Sequence, residues 1–445
     1  MDERAHQRNE RTLKARRTGV WGVIYQGVYA AAQLVALGML VRYVGKEQYG
    51  LWMTVLAATT WMTLANLGQS SALLTKLGAV AITDRLAAQK VFSASAFLVT
   101  IFSTVLVLSL ILAGSFLPWG QLLNTEGAMT DSAVGAIAVA ALLVSLLALP
   151  AGLGTFSVFA HQRGDLMHIV MSAGSLVSLA VAGVAIWLRQ PLWLVGACTL
   201  SGPLLGGCAL WIFGLANELV PRPRWALVDW NTMHGVLKAG FMFFLIDATT
   251  LMLLRTPDLV VAYLHGVDAV GPFASVERLP LLMIALFHAI LIPFWPALGE
   301  ATHRGDHDWV RRIVIRTFVM VLGLWSVGAV VIWFLGAFFI QLWTGSADFS
   351  SRDLIAAACA QSLGLGLFAW VSVLLSALSQ QRLLVAILVL ASMAFLTLAF
   401  FWGGQFGPVG VALAQAAALL FCTVPLGGMV LYRQLAQRTS TALSP

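Results

Sequence analysis

The chain carries the sequence GKEQYGLW at residues 45–52, immediately after its first long apolar segment. The sequence GVDAVGPF follows the seventh apolar segment at residues 266–273, with glycine, acidic, glycine and aromatic residues in matching places. These two sequences are 221 residues apart, and the Gln-Arg dipeptides at 162–163 and 381–382 are 219 residues apart. Two pairs at nearly one offset indicate two halves of similar structure. The alternative is a chance match between common turn residues.

The composition places most of the chain in lipid. Of the 445 residues, 60% are hydrophobic and only 10% are charged, and the mean hydropathy is +0.88. Soluble domains are about one quarter charged, and disordered chains combine low hydrophobicity with high charge. Both classes are therefore excluded. A helix needs about 20 apolar residues to cross a bilayer, so the chain has room for many spans.

Hydropathy over windows of about 19 residues predicts twelve spans, six in each half. They lie near 18–43, 48–75, 91–113, 132–160, 166–188, 192–216, 235–263, 268–295, 310–335, 353–378, 383–402 and 408–432. An even number of spans in each half makes the repeats parallel, related by an axis along the membrane normal. The predicted fold is an all-α integral membrane protein of two six-helix repeats.

The predicted organisation has five parts and one orientation. They are a basic leader at 1–17, an N-terminal lobe at 18–216, a linker at 217–231, a C-terminal lobe at 232–432 and a tail at 433–445. Most of the 26 Lys and Arg residues fall in segments that share one side, which predicts that both termini are cytoplasmic. This orientation signal explains the net charge of +7 better than nucleic-acid binding does.

The sequence predicts no metal site, no cofactor and no enzyme activity. The four cysteines fall inside apolar runs without a CxxC spacing, and no phosphate-cradling GxxxxGK[ST] sequence is present. The longest outer loop, at 114–131, offers only Glu126 and Asp131 as titratable groups. General acid–base or nucleophilic catalysis needs positioned partners, which this loop does not supply.

The turn sequences carry a family resemblance. The run RYVGKEQYGLW at 42–52, followed by Asn66-Leu67-Gly68, resembles the polysaccharide transporter family, which contains the O-antigen and capsule-repeat flippases. The stretch from Asp258 through 270–273 to Leu279 is similar to the seventh and eighth helices of that group. The family belongs to the multidrug/oligosaccharidyl-lipid/polysaccharide exporter superfamily, together with the multidrug and toxin extruders and the lipid II flippases.

The resemblance implies a function. The protein would flip a polyprenyl-pyrophosphate-linked oligosaccharide across the bacterial inner membrane, with two lobes rocking around a central cavity. Its partners would be the lipid-linked oligosaccharide, membrane lipids and other polysaccharide-assembly membrane proteins, and a proton or sodium gradient would be a candidate energy source. The alternatives are a cation-coupled multidrug and toxin extruder of the same superfamily, and a scaffold or receptor without transport.

Polar stripes on the first two spans give candidate substrate-binding residues. Gln26 and Gln33 share one helix face, and Asn66 shares a face with other polar residues of the second span. The two stripes would line a cavity wall or, alternatively, form interhelical hydrogen bonds. Related proteins often carry an acid where Asn66 stands, which argues against ion coupling at this position.

Charged residues inside the seventh and eighth spans are the strongest candidates, because charge is costly in lipid. We predict that Arg255, Arg278 and Lys238 bind the substrate, and that Asp247, Asp258 and Glu277 couple an ion. If the hairpin turns at Gly266, Arg255 and Glu277 are each eleven residues from it and meet at equal depth. The alternative is a structural salt-bridge network, with Lys238 reaching the membrane surface.

Prolines inside the spans predict kinks, since each removes one helical hydrogen bond. They are Pro150, Pro203, Pro257, Pro280 and Pro425, of which Pro257 and Pro280 flank the charged residues. Such a kink is either a hinge or a static bend whose freed carbonyl is satisfied by a neighbour.

Overall fold

A computed structural model of the chain describes residues 2–80, 84–114, 116–125, 129–291, 294, 298, 307–378 and 380–429. The predicted tail at 433–445 lies outside these residues. The described chain is almost entirely helical. Its helices are α1 (Asp2–Trp61), α2 (Gln69–Val80), α3 (Arg85–Ala113), α4 (Trp119–Leu122), α5 (Asp131–Ala160), α6 (Gly164–Trp187), α7 (Leu192–Leu200), α8 (Gly202–Ala216), α9 (Trp230–His265), α10 (Val267–Leu291), α11 (His307–Thr344), α12 (Arg352–Ala377) and α13 (Gln381–Ala418).

The described residues contain nine helices long and apolar enough to cross a membrane, and one bent pair, α7 with α8, that passes the same test together. Two of the nine are each divided by a glycine with positive φ, Gly45 in α1 (φ 79°) and Gly407 in α13 (φ 66°). Glycine adopts this conformation without the clash that a Cβ would cause. With each divided helix counted as two arms, the described residues contain twelve apolar helical segments, the number of spans that hydropathy predicts.

The two halves repeat each other at their turns. Residues with positive φ recur at offsets of 221, 221 and 218, in the pairs Gly45 and Gly266, Asn124 and Gly345, and Arg189 and Gly407. Each pair lies in corresponding helix connections. The repeat inferred from residues 45–52 and 266–273 is therefore present in the backbone.

The described residues form two compact units. Unit 1 contains residues up to Gly45 and Ala58–Asp247, and unit 2 contains Lys46–Ala57 and the residues from Ala248 onwards. The first part of the second span thus belongs with the second half of the chain, and the first half of α9 belongs with the first half of the chain. The lobe boundaries at 18–216 and 232–432 remain a prediction.

Unit 1 is organised around an apolar core between α2, α3, α5 and α8, with Phe92, Leu153 and Leu210 fully buried. The linker predicted at 217–231 is attached to this unit, because Gln89 of α3 donates to the Arg222 carbonyl over 2.8 Å. At its end Asp229 caps α9. Hydrogen bonds from the backbone and side chain of Thr232 lower the pKa of Asp229 below its ordinary value.

Unit 2 contains a close contact between the two repeated turn sequences. A Cβ added at Gly50 would lie 2.0 Å from the Val267 carbonyl oxygen, and one added at Gly271 would lie 3.3 Å from the Lys46 carbonyl oxygen. The first turn of each matched helix therefore packs against the other through its glycine. Tyr49 is fully buried beside this contact.

The internal proline of α5 leaves a carbonyl that a neighbouring side chain satisfies. Pro150 cannot bond the Leu146 carbonyl, and Ser103 Oγ donates to this carbonyl over 2.7 Å. Pro203 instead lies in the first turn of α8, after the break from α7, and there Ser178 Oγ donates over 2.7 Å to the Cys198 carbonyl and over 3.1 Å to the Thr199 carbonyl, both near the end of α7. Lipid offers no hydrogen bonds, so such replacements let a kinked helix remain in the membrane.

We predict that Gly50→Ala destabilises the protein by about 1–3 kcal/mol, because the new Cβ forces the backbones of the two turns apart. The matched control is Gly323→Ala in α11, where a Cβ would meet nothing within 4 Å. Thermal unfolding of both variants in detergent, followed by tryptophan fluorescence, measures the difference. Equal stability of the two variants would show that the glycine contact is not required.

Candidate functional site

Four charged side chains of α9 and α10 meet in unit 2. Asp258 and Glu277 are almost completely buried, with 3% and 4% of their surface exposed. Their carboxyl groups are within hydrogen-bonding range of each other, and both interact electrostatically with Arg255 and Arg278. The two arginines are only half-buried. We call these four residues the charge cluster.

The hydrogen bond between the carboxyl groups of Asp258 and Glu277 depends on their protonation. An ionised carboxylate only accepts hydrogen bonds, so a bond between two carboxyl groups needs one proton. With this proton the two guanidinium groups leave the charge cluster with a net charge of +1, and without it the cluster is neutral. The gain or loss of this one proton thus changes the net charge of the charge cluster.

A chain of amide side chains connects the carboxyl pair to the kink in α9. Gln361 of α12 donates to Glu277 Oε1 over 3.5 Å and also donates to Gln415 Oε1. Gln415 Nε2 in turn donates to the carbonyl of Leu253. This carbonyl lies four residues before Pro257, which has no N–H to offer it. The proline kink and the charge cluster therefore share one hydrogen-bonded network across four helices.

Residues at the start of the second span cover Arg278. Its Nη2 lies 3.9 Å from the sulfur of Met53, and it interacts electrostatically with the buried Tyr49. Arg278 Nε and Asp258 Oδ1 are both buried, and neither has a hydrogen-bond partner among the residues that the structure describes. Buried polar networks that are purely structural are normally fully satisfied. The charge cluster thus combines tight burial with hydrogen-bonding capacity that the surrounding protein does not use.

The structure places the other two predicted charged residues elsewhere. Lys238 and Asp247 lie on the part of α9 that belongs to unit 1, and both are exposed. Arg255 and Glu277, which are equally far from Gly266 in sequence, interact electrostatically. Among the described residues, no group of three or more His, Cys, Asp or Glu side chains is arranged to hold a metal ion.

The predicted polar residues of the first two spans also lie in unit 1. Gln26 is exposed, and Gln33 lines a crevice of about 20 Å³ between α1, α6, α7 and α8. Asn66 donates to Ser70 Oγ where the second span breaks. At this break Leu67 and Gly68 have positive φ, and a Cβ on Gly68 would lie 2.1 Å from the Gly240 carbonyl oxygen. The roles predicted for these side chains remain predictions.

Two residues of the network were not predicted from the sequence. Gln361 and Gln415 are 2% and 1% exposed and lie within predominantly apolar helices. An uncharged amide in the middle of a span is costly unless it is paired, and this cost is the signal that could have identified both residues.

Comparisons with known proteins identify relatives and a fold. A family model described as polysaccharide biosynthesis protein matches residues 16–300. No curated protein matches the sequence. An inward-facing multidrug resistance MATE family transporter of the MOP superfamily superposes with a TM-score of 0.76 at 14% identity, covering 94% of this chain and 99% of that one.

Other solved structures give the same fold. A MOP superfamily transporter from Pyrococcus furiosus, reported with a binding pocket of reverse polarity that suggests a different function, has a TM-score of 0.69 at 15% identity and covers 96% of both chains. A MATE multidrug transporter solved in complex with a ligand has a TM-score of 0.71 at 15% identity, covering 94% of this chain and 95% of that one. These similarities establish the fold.

We predict that Gln415→Leu destabilises the protein by about 1–3 kcal/mol, because it leaves the buried Leu253 carbonyl without the donor it has here and removes one of the two hydrogen bonds that Gln361 donates. In a Pro257→Ala background the loss should be smaller, since the introduced alanine supplies the N–H that the carbonyl lacks. Thermal unfolding of the single and double variants measures this coupling.

The control is Gln405→Leu, at an exposed glutamine of the same helix α13. It should change stability little in either background. If Gln415→Leu lowers the stability by the same amount with and without Pro257, the stabilising hydrogen bond of Gln415 is not the one to the Leu253 carbonyl.

Proposed function

Because the chain belongs to the polysaccharide biosynthesis protein family, we propose that it flips a polyprenyl-pyrophosphate-linked oligosaccharide across the bacterial inner membrane. The observation that carries this proposal is the family match, which includes both turn sequences and the whole charge cluster. The transporter fold supports it. In this proposal the lobes at 18–216 and 232–432 alternate access to the two leaflets, and both termini are cytoplasmic.

The physical task is to carry a polar head group through hydrocarbon while its isoprenoid tail stays in lipid. An unpaired pyrophosphate in hydrocarbon costs many kcal/mol, so the protein must provide cations or hydrogen-bond donors. Arg255 and Arg278 are the cations of the charge cluster, and both are half-buried. We assign them to the pyrophosphate, which guanidinium groups can bind in bidentate fashion.

The carboxyl pair is the element that we assign to proton coupling. In the protonated state the charge cluster has a net charge of +1 and attracts the pyrophosphate. Loss of the proton provides a second carboxylate, which neutralises the arginines and competes with the substrate. This cycle links proton release to substrate release. Asp247, exposed on the other part of α9, remains a candidate for a second ion site.

A second candidate function is cation-coupled multidrug extrusion. The observation that favours it is the set of structural neighbours, which includes multidrug MATE transporters and one solved in complex with a ligand. Such a protein would bind a cationic drug through carboxylates rather than a pyrophosphate through arginines. The two functions therefore require opposite charges at the charge cluster.

We predict that the wild-type protein in proteoliposomes flips a fluorescent undecaprenyl-pyrophosphate oligosaccharide. Arg255→Ala and Arg278→Ala should each reduce the rate by about ten- to a hundredfold, because each removes a charged hydrogen-bond donor. Arg316→Ala, at an exposed arginine of α11, is the control and should retain the wild-type rate.

Two results would contradict the proposal. If both cluster variants fold and flip at the wild-type rate, the pyrophosphate does not use these arginines. If the wild type does not flip this lipid but expels a cationic dye under a proton or sodium gradient, the protein is a multidrug extruder.

We also predict that wild-type binding of the same lipid weakens as the pH rises, because the charge cluster loses its proton and its net positive charge. Glu277→Gln keeps an acceptor for Gln361 and a donor for Asp258 but has no proton to release. Its binding should not weaken with pH. Binding isotherms in detergent measure this, with Glu47→Gln at an exposed position as the control. A wild-type pH dependence in Glu277→Gln would exclude the carboxyl pair as the coupling site.

A further inference from the structure

Unit 1 contains a cluster of aromatic rings that the charge cluster does not explain. Tyr25 of α1 stacks on His168 of α6, with ring centroids 5.4 Å apart and 30° between the planes. Tyr29, one turn further along α1, lies 6.0 Å from Tyr25, and Phe159 of α5 meets His168 edge-on at 6.3 Å. A Cβ at Gly22 would lie only 3.2 Å from His168 Nε2, so the absence of a side chain at this glycine leaves room for the histidine ring against α1.

Polar groups lie on the same side of α1 as these rings. Gln26 is exposed, Tyr29 is 36% exposed, and Gln33 lines the crevice that Tyr29 and Ser175 also border. These residues lie inside the candidate span that begins at Val20. An exposed amide in a span is costly if it faces hydrocarbon, so we expect this side of α1 to face water. We call Tyr25, Gln26, Tyr29, Gln33 and His168 the ring-amide face.

The chemistry of this face differs from that of the charge cluster. It contains no carboxylate, guanidinium or ammonium group, and therefore offers no strong site for a pyrophosphate. Flat rings present an apolar surface, and each amide offers both a donor and an acceptor. A sugar ring has matching groups, since its axial C–H bonds form an apolar face and its rim carries hydroxyls that donate and accept.

We propose that the ring-amide face binds a sugar ring of the transported lipid, with Tyr25 and Tyr29 stacking on the ring and Gln26 and Gln33 bonding its hydroxyls. This inference rests on the proposed function, which it deepens by assigning the oligosaccharide its own binding face. His168 supports Tyr25 from behind, and Phe159 supports His168. A cationic ligand would gain attraction from the rings but would find no carboxylate on this face.

The test compares two ligands that differ only in the sugar, undecaprenyl pyrophosphate with and without the oligosaccharide. The full-length chain in detergent is titrated with each fluorescent lipid. Tyr25→Leu and Tyr29→Leu should weaken binding of the sugar-bearing lipid by about three- to tenfold and leave binding of the bare lipid unchanged, because only the sugar contacts the rings. Tyr25→Phe keeps the ring and should bind nearly as the wild type does.

Tyr263→Leu is the matched control, because Tyr263 is a 71% exposed tyrosine of α9 in unit 2. It should not change the affinity for either lipid. Equal weakening of both lipids by Tyr25→Leu, or no change for either, would overturn the carbohydrate assignment while leaving the proposed function intact. If the wild type binds neither lipid, the proposed function fails and the assignment fails with it. Binding of a cationic dye that depends on Tyr25 would assign the face to cations instead.

Discussion

The backbone contact between Gly50 and Val267 is the constraint on which the site in unit 2 depends. No side chain fits between the two turns, so their helices start in van der Waals contact. This contact places Tyr49 and Met53 beside α10, where they cover Arg278. The short second-span segment thereby becomes part of unit 2, although residues 58–247 separate it from the rest of that unit in sequence. The same glycines that mark the repeat thus close one side of the charge cluster.

A second constraint is that lipid satisfies no polar group. A helix with an internal proline must find a donor for the carbonyl that the proline leaves free, and Ser103 and Gln415 each donate to such a carbonyl. At Pro150 the donor is a hydroxyl that ends the network. At Pro257 the donor is an amide, which has a second group to pair and so extends the network to Gln361 and Glu277. The amide that satisfies the carbonyl freed by Pro257 therefore also connects this part of α9 to the charge cluster.

The sequence predicts well how far along its helix each residue lies, and it predicts poorly how each helix is rotated about its own axis. Hydropathy and the 221-residue repeat give the spans, and Arg255 and Glu277, which are equally far from Gly266 in sequence, interact electrostatically. The partners of Glu277 on other helices depend on how each helix is rotated about its axis. Gln361 is 84 residues from Glu277, and no pattern in either apolar span relates the two. Asp247 and Asp258 have the same charge and lie on one helix, but only the structure shows that Asp258 is buried and Asp247 is exposed.

The charge cluster of unit 2 and the ring-amide face of unit 1 offer different kinds of polar group. Two of the three buried acidic side chains among the described residues, Asp258 and Glu277, lie in unit 2 and the third, Asp165, lies in unit 1, whereas the five residues of the ring-amide face include no carboxylate, guanidinium or ammonium group. A fixed charge next to a sugar-binding face would have to be paired or solvated in every state, and pairing would occupy the hydroxyl-binding amides. A substrate with a charged linkage and neutral sugars can be held by two separate surfaces, each of which suits one part. Under this division, a change of sugar would require changes only at rings and amides, and the proton-linked charge cluster could remain the same.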